Sequence, residues 1–138
     1  MKKLLIGLII LATTLVACGG QSEDEPSLEG TTWQWMEFQD TAGENNINVS
    51  TPANYTLTLN DGTASIKADC NQVSWNYELN GSQLTFNTLG ASTLAFCGEE
   101  SLDTTYLERL GQTATYVISN GQLSLNLIAD AGNMVFEP

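Results

Sequence analysis

The chain has 138 residues, of which 42% are hydrophobic and 14% are charged, the composition of a packed globular protein rather than of a disordered one. It contains 16 acidic residues, 4 basic residues and no histidine, which gives a formal net charge of −12. Because binding to a phosphate backbone requires clustered lysine and arginine side chains, this composition excludes nucleic acid as a partner.

The first 17 residues have the pattern of a signal peptide. Lys2 and Lys3 precede an apolar stretch over residues 4–17, which is shorter than the ~20 residues that a membrane-spanning helix needs. Residues 15–18 read Leu-Val-Ala-Cys and resemble the lipobox of bacterial lipoproteins, where cleavage leaves a diacylglycerol-bearing cysteine at the new amino terminus. We therefore expect lipid attachment at Cys18. The alternatives are an ordinary secretory signal or a core segment with a chance cysteine.

The segment 18–27 is polar and acidic and has no apolar periodicity, so we expect a flexible tether between the lipid and the domain. Two or more acyl chains hold a protein stably on a membrane. An aspartate directly after Cys18 would resemble the signal that retains lipoproteins in the inner membrane of many Gram-negative bacteria. Gly19 occupies that position here, which favours an exported protein on the outer membrane, facing the periplasm.

From Trp33 onward the hydrophobic pattern has a period of two, which is typical of half-buried β-strands. Asp61-Gly62, Asn80-Gly81 and Asn120-Gly121 separate alternating runs and tolerate the positive φ angles of tight hairpin turns. Residues 28–138 are therefore predicted to form one domain, a meander of about eight strands. The clearest alternating runs lie at residues 55–59, 64–68, 73–79, 84–86, 116–118, 123–127 and 134–136.

Residues 98–110 interrupt this pattern and predict a helix. Apolar side chains recur there on one helical face, acidic side chains lie near its start, and a glycine can end it. A helix of this length is not stable alone, so it should cover an open edge or mouth of the sheet. The predicted fold class is α+β, a mostly antiparallel, partly open barrel of about eight strands with one covering helix. The residues that predict the helix are Leu102, Tyr106, Leu107 and Leu110 on the apolar face, Glu99, Glu100 and Asp103 near the start, and Gly111 at the end.

Two cysteines remain beside Cys18. An even pair in an exported domain predicts a disulfide between Cys70 and Cys97, and the alternative is a pair of buried free thiols. Two thiolates without any histidine do not complete a tetrahedral zinc site, so we expect no metal.

The order of motifs over residues 28–138 resembles the META domain of HslJ-type lipoproteins. Leu-Glu-Gly-Thr-Thr-Trp at 28–33, Asp-Cys-Asn at 69–71 followed by Tyr77, and Thr93 four residues before Cys97 are similar to that domain's motifs. Asp69 and Trp75 stand where the family commonly has glycine. The resemblance implies a β-rich envelope domain associated with heat or antibiotic stress, and in some members with secretion or virulence. The resemblance to the META domain assigns no catalytic residues to this chain.

The sequence shows no catalytic constellation. The absence of histidine removes the commonest general base, and the few basic residues leave little to stabilise an oxyanion or clamp a phosphate. Carboxylate pairs that would suit glycoside hydrolysis are expected by chance among 16 acids, and no Asp-rich calcium loop occurs. We expect neither an enzyme nor a cofactor.

Two candidate sites remain. Asp69 and Asn71 form either a polar site at the rim of the barrel or a set of turn-stabilising side chains. Trp33, Trp35 and Trp75 either line an apolar pocket or fill the core.

The leading interpretation is a non-enzymatic, lipid-anchored envelope protein that binds an envelope protein or lipid and supports envelope integrity or stress tolerance. The alternative is a carrier of a small apolar ligand or lipid in a tryptophan-lined barrel. The two interpretations differ in what they require, because a binding module needs an exposed apolar patch and a carrier needs an unfilled interior.

Overall fold

The computed structural model describes residues 25–138. The expected signal peptide, lipid-attachment site Cys18 and most of the expected tether lie outside the described residues. Within the described part, an isolated bridge pairs Glu29 with Leu59, and short 3₁₀ helices lie at Pro52–Asn54 and Ile128–Asp130. The strands and the helix are β1 Thr32–Asp40, β2 Ile47–Asn48, β3 Tyr55–Asn60, β4 Thr63–Ala68, β5 Asn71–Asn80, β6 Gln83–Ser92, α1 Asp103–Gly111, β7 Thr113–Ser119, β8 Gln122–Leu127 and β9 Gly132–Glu137.

Eight of these strands form a closed antiparallel barrel. Strand β1 pairs with β3 on one side and with β9 on the other, and the remaining strands follow in chain order between them. The two-residue β2 adds to the edge of β1. The ring is weakest between β6 and β7, which share the single pair Gln83–Thr115. The predicted fold class, a mostly antiparallel barrel with one helix, is confirmed, and the barrel is closed through this narrow pairing rather than partly open.

The hairpin turns lie where the sequence predicts them. Asp61 and Gly62 have φ angles of 46° and 79°, and Asn120 and Gly121 have 54° and 77°. Both pairs join directly paired strands. At the third turn Asn80 is still the last residue of β5, so Gly81 and the following residue make the connection.

The core fills the interior of the barrel with side chains from alternate strand positions. The largest fully buried side chains are Trp33, Trp35, Tyr106, Phe38 and Phe136. The ring of Tyr106, from the helix, stacks on Trp35 with centroids 5.1 Å apart. Helix α1 therefore contributes side chains to the core of the barrel.

Helix α1 starts later than its sequence indicates. Glu99 and Glu100 precede it, and Asp103 is the acidic residue of its first turn. Tyr106 and Leu110 are buried, as the predicted apolar face requires, and Gly111 is its last residue. Among residues 25–138, no helix is long and apolar enough to cross a membrane.

The barrel has two distinct ends. At the N-terminal end the chain enters next to the β3–β4 turn, where the Gly30 amide donates a hydrogen bond to the Leu59 carbonyl over 2.9 Å. At the opposite end lies the β4–β5 turn, which contains Cys70; we call it the disulfide end. Because β4 has six residues, the two turns are about 20 Å apart.

Candidate functional site

A disulfide joins Cys70 to Cys97 at the disulfide end of the barrel, with Cα atoms 5.5 Å apart. The predicted pairing is confirmed, and the alternative of free thiols does not hold. The bond fastens the connection between β6 and α1 to the turn that precedes β5. We call residues 93–97 of that connection the rim loop.

The side chain of Asn71 fastens the rim loop a second time. It is buried, its Oδ1 accepts a hydrogen bond from the Ala95 amide over 2.8 Å, and its Nδ2 donates to the Ala95 carbonyl over 3.0 Å. The Asn71 side chain also accepts a hydrogen bond from Thr93 Oγ1 and donates one to Asp103 Oδ2. Asn71 therefore joins the rim loop, the disulfide turn and the start of the helix, and its polar atoms are already occupied.

Asp69 stabilises the turn and also lines a pocket. Its φ of 56° lies in the left-handed region, and its carboxylate accepts hydrogen bonds over 3.4 Å from Asn54 Nδ2 and the Tyr55 hydroxyl. The Tyr55 hydroxyl in turn accepts from the Leu102 amide over 2.9 Å. Of the two residues predicted at the rim, Asp69 faces the pocket and Asn71 holds the framework behind it.

The pocket beside Asp69 has a volume of about 380 Å³ and lies between the disulfide and the start of α1; we call it the rim pocket. Segments 49–51 and 97–102 form most of its wall, together with Tyr55 and Asp69. Glu99 and Glu100 also belong to this wall, so three acidic residues surround the pocket. Among residues 25–138, no group of three or more acidic or cysteine side chains is arranged to hold a metal ion.

The rim loop presents two large apolar side chains to solvent. Leu94 is 94% exposed and Phe96 is 84% exposed, although the disulfide and the Ala95 backbone hold the loop in place. Sequence reasoning missed these residues, because an apolar residue between strands is normally expected to be buried. The only signal was the Thr-x-x-x-Cys motif around them, which indicates a fixed loop but not which side chains face outward.

The three tryptophans lie in the packed core. Trp33 and Trp35 are fully buried and donate their indole N–H groups to the Leu28 carbonyl over 3.0 Å and the Glu37 carbonyl over 2.8 Å. Trp75, on strand β5, is also buried, and its ring lies next to that of Phe86 on β6. Four of the pockets among the described residues have volumes of about 380 to 440 Å³, and none of these four has a tryptophan in its wall. An apolar ligand would have to displace these side chains.

Two buried tyrosines have raised pKa values. Burial raises the pKa of Tyr106 well above its usual range. At the N-terminal end, burial raises the pKa of Tyr77, and its hydrogen bond to the Glu29 carboxylate adds to the effect. Both hydroxyls are therefore neutral at physiological pH, and neither is a general base.

These features define a small antiparallel β-barrel domain with a packed interior and a disulfide-fixed loop at one end. The sequence profile of the META domain matches residues 26–137, and the chain belongs to the META domain family. No curated protein sequence matches the chain.

Solved structures with this fold include an NMR structure of a protein from Burkholderia xenovorans, with 22% identity and a TM-score of 0.64 over 80% of this chain and 82% of that one. A DUF4847 family protein from Bacteroides vulgatus, solved by crystallography, has 12% identity and a TM-score of 0.61 over 80% of this chain and 93% of that one. At these identities the similarity establishes the fold alone.

Proposed function

We propose that this protein is a non-enzymatic, lipid-anchored component of the cell envelope that binds another envelope component through its rim loop. Through this binding it supports envelope integrity or tolerance of stress and antibiotics. The observation that supports the proposal is the exposure of Leu94 and Phe96 on a loop that is held by a disulfide and by Asn71.

Single exposed apolar residues are common on protein surfaces and need no explanation. Two nearly fully exposed large ones within a single fixed loop are a different case, because a rigid loop cannot fold them back into the domain. Preorganised apolar anchors of this kind reduce the entropy lost on binding. The arrangement suits recognition, since a fixed loop with apolar side chains offers a partner preformed contact area.

The carrier alternative lacks a comparable observation. Trp33 and Trp35 stack into the core with their indole N–H groups bonded to backbone carbonyls, so they fill the space a ligand would need. A binding surface on the outside of the barrel requires no such rearrangement.

The anchoring part of the proposal rests on the sequence of residues 1–18. Replacing Cys18 by serine removes the thiol that would carry lipid and leaves the described domain intact. We expect the wild-type protein in the outer-membrane fraction and Cys18→Ser, exported with a cleavable secretory signal in place of residues 1–17, in a soluble fraction with the same near-UV circular dichroism. Membrane association of Cys18→Ser, or an unfolded product, contradicts a simple lipid tether.

The binding part is tested by complementation of a deletion strain under heat, detergent and antibiotic stress. The double variant Leu94→Ser/Phe96→Ser should fail to restore tolerance while accumulating at the wild-type level. Ile128→Ser changes an exposed apolar residue outside the rim loop and should restore it. Equal restoration by both variants would show that the rim loop is not the functional surface.

A further inference from the structure

The exposed rim loop and the acidic rim pocket are neighbours in the chain and in space. Phe96 directly precedes Cys97, which lines the pocket, and Glu99 and Glu100 follow in the same wall. The structure thus places two apolar anchors beside three acidic residues, the third being Asp69. We propose that this combined surface binds a basic segment of another polypeptide, one that carries lysine or arginine next to an apolar side chain. The inference deepens the proposed function and rests on it.

The charge of the domain supports a basic partner. Its two cations, Lys67 and Arg109, are engaged by uncharged groups. Lys67 Nζ donates to the Ala53 carbonyl and to Asn54 Oδ1, and the Arg109 guanidinium lies 4.3 Å from the centre of the Phe38 ring. Neither cation is therefore hydrogen-bonded to a carboxylate of the rim pocket, although Lys67 is linked to Asp69 through the Asn54 side chain. Lysine or arginine from a partner would complement them, and such complementarity increases association rates and specificity.

The same charge disfavours two other occupants of the surface. A second copy of the chain would bring an identical set of carboxylates against the first, and like charges across an interface are costly. An anionic lipid surface would be repelled for the same reason. A polypeptide segment with both a positive charge and an apolar side chain would complement the acidic rim pocket and the apolar anchors together.

The position of the surface also disfavours the membrane that would hold the protein. Residues 28–30 enter at the N-terminal end of the barrel, and the rim loop lies at the disulfide end, about 20 Å away along β4. The rim loop therefore lies at the end of the barrel opposite to the point where the chain enters, which favours partners in the surrounding compartment over the anchoring bilayer.

The proposal is tested with synthetic peptides and the full lipidated chain in phosphatidylcholine nanodiscs. The probe is a short fluorescent peptide of lysines and phenylalanines separated by glycine and serine. Matched peptides replace either every lysine by glutamate or every phenylalanine by serine. Fluorescence anisotropy gives the affinity of each peptide at two salt concentrations, and the same titration with Cys18→Ser separates peptide binding from anchoring.

We expect the lysine–phenylalanine peptide to bind and both matched peptides to bind much more weakly. Leu94→Ser/Phe96→Ser should weaken binding about tenfold or more, as loss of buried apolar anchors does. Glu99→Gln/Glu100→Gln should weaken it at low salt and reduce its salt dependence. The controls Ile128→Ser and Glu44→Gln should bind as the wild type does.

Three results would overturn the proposal. One is binding of the peptide that neither double variant changes, since this would reflect only general attraction to an acidic protein. The second is self-association of the chain that Leu94→Ser/Phe96→Ser abolishes. The third is binding of Cys18→Ser to lipid vesicles through the rim loop, which would assign the surface to a membrane.

Discussion

Asp69 occupies a backbone position where the resemblance to the META domain leads one to expect glycine. Its φ of 56° is a backbone conformation that glycine adopts without cost and that most other residues avoid. Aspartate tolerates it better than most residues, and here its carboxylate also accepts two hydrogen bonds of 3.4 Å. The departure from glycine is therefore compensated locally and brings a negative charge into the rim pocket.

A pair of substitutions at position 69 tests this explanation. Asp69→Gly should leave the unfolding free energy within about 1 kcal/mol of the wild type, and Asp69→Ala should be less stable than Asp69→Gly by about 1 kcal/mol. Denaturant unfolding measures both values. An alanine variant as stable as the glycine variant would show that the left-handed conformation is not what matters at this position.

Tyr106 contains a fully buried hydroxyl with no hydrogen-bond partner among the described residues. Removing such a group removes a desolvation penalty, so Tyr106→Phe should be as stable as the wild type at pH 7, or more stable. Tyr77→Phe is the matched contrast, because the Tyr77 hydroxyl donates to the Glu29 carboxylate, and its loss should cost about 1 kcal/mol. Thermal unfolding of the two variants gives the comparison. A clear loss of stability in Tyr106→Phe would reveal a bonded partner for that hydroxyl, such as a buried water.

The raised pKa of Tyr106 also predicts a pH dependence. The folded protein keeps this hydroxyl neutral, whereas the unfolded chain ionises it near the ordinary value of about 10. Ionisation of Tyr106 therefore leaves the stability unchanged below about pH 10 and lowers it as the pH rises above that value. Tyr106→Phe should lose less stability than the wild type between about pH 10 and 11, and parallel curves would contradict the assignment.

At the scale of elements, the connection between β6 and α1 explains most of the difference between the predicted and the observed helix. Acidic residues at 99 and 100 are typical of a helix start, yet these residues form the wall of the rim pocket. The disulfide at Cys97 and the bond from the Leu102 amide to Tyr55 hold this segment outside the helix. Long-range contacts therefore decide where the helix begins.

The disulfide should stabilise the domain mainly by restricting the unfolded chain. With a sequence separation of 27 residues, the chain-entropy estimate is about 3.5 kcal/mol. Cys70→Ser/Cys97→Ser should lower the unfolding free energy by about this amount and still fold, because Asn71 continues to hold Ala95. A reducing agent should lower the melting temperature of the wild type and leave that of the double variant unchanged. An unchanged wild-type melting temperature, after reduction is verified by mass spectrometry, would contradict this role.

Strand β6 is longer than its alternating run at residues 84–86 predicts, because its second half pairs with β5. Its second half, residues 87–92, has no regular apolar pattern, yet it pairs with β5 around the bulky Trp75. A Cβ atom on Gly90 would lie 2.0 Å from the Ser74 carbonyl oxygen. The glycine that the family commonly has at position 75 is absent, and Gly90 allows the close backbone approach from the opposite strand.

At the scale of the whole molecule, local signals predicted the strands, the hairpins and the buried face of the helix. Period-two alternation and Asx-Gly turns depend on neighbouring residues, so a single sequence contains them. Closure through β1 and β9 was not predictable in this way, because residues a hundred positions apart make that pairing. The exposed Leu94 and Phe96 were equally unpredictable, since their exposure depends on Asn71 holding Ala95 from another strand.

Site-specific photocrosslinking in living cells would show directly whether the rim loop contacts another protein. The photoreactive amino acid p-benzoylphenylalanine is introduced at position 96 in one strain and at position 128 in another, both with the anchor intact. We expect position 96 to yield one reproducible crosslinked partner, captured through a segment rich in lysine or arginine, and position 128 to yield none. The same products from both positions, or crosslinks from position 96 to lipid alone, would contradict a protein-binding rim loop.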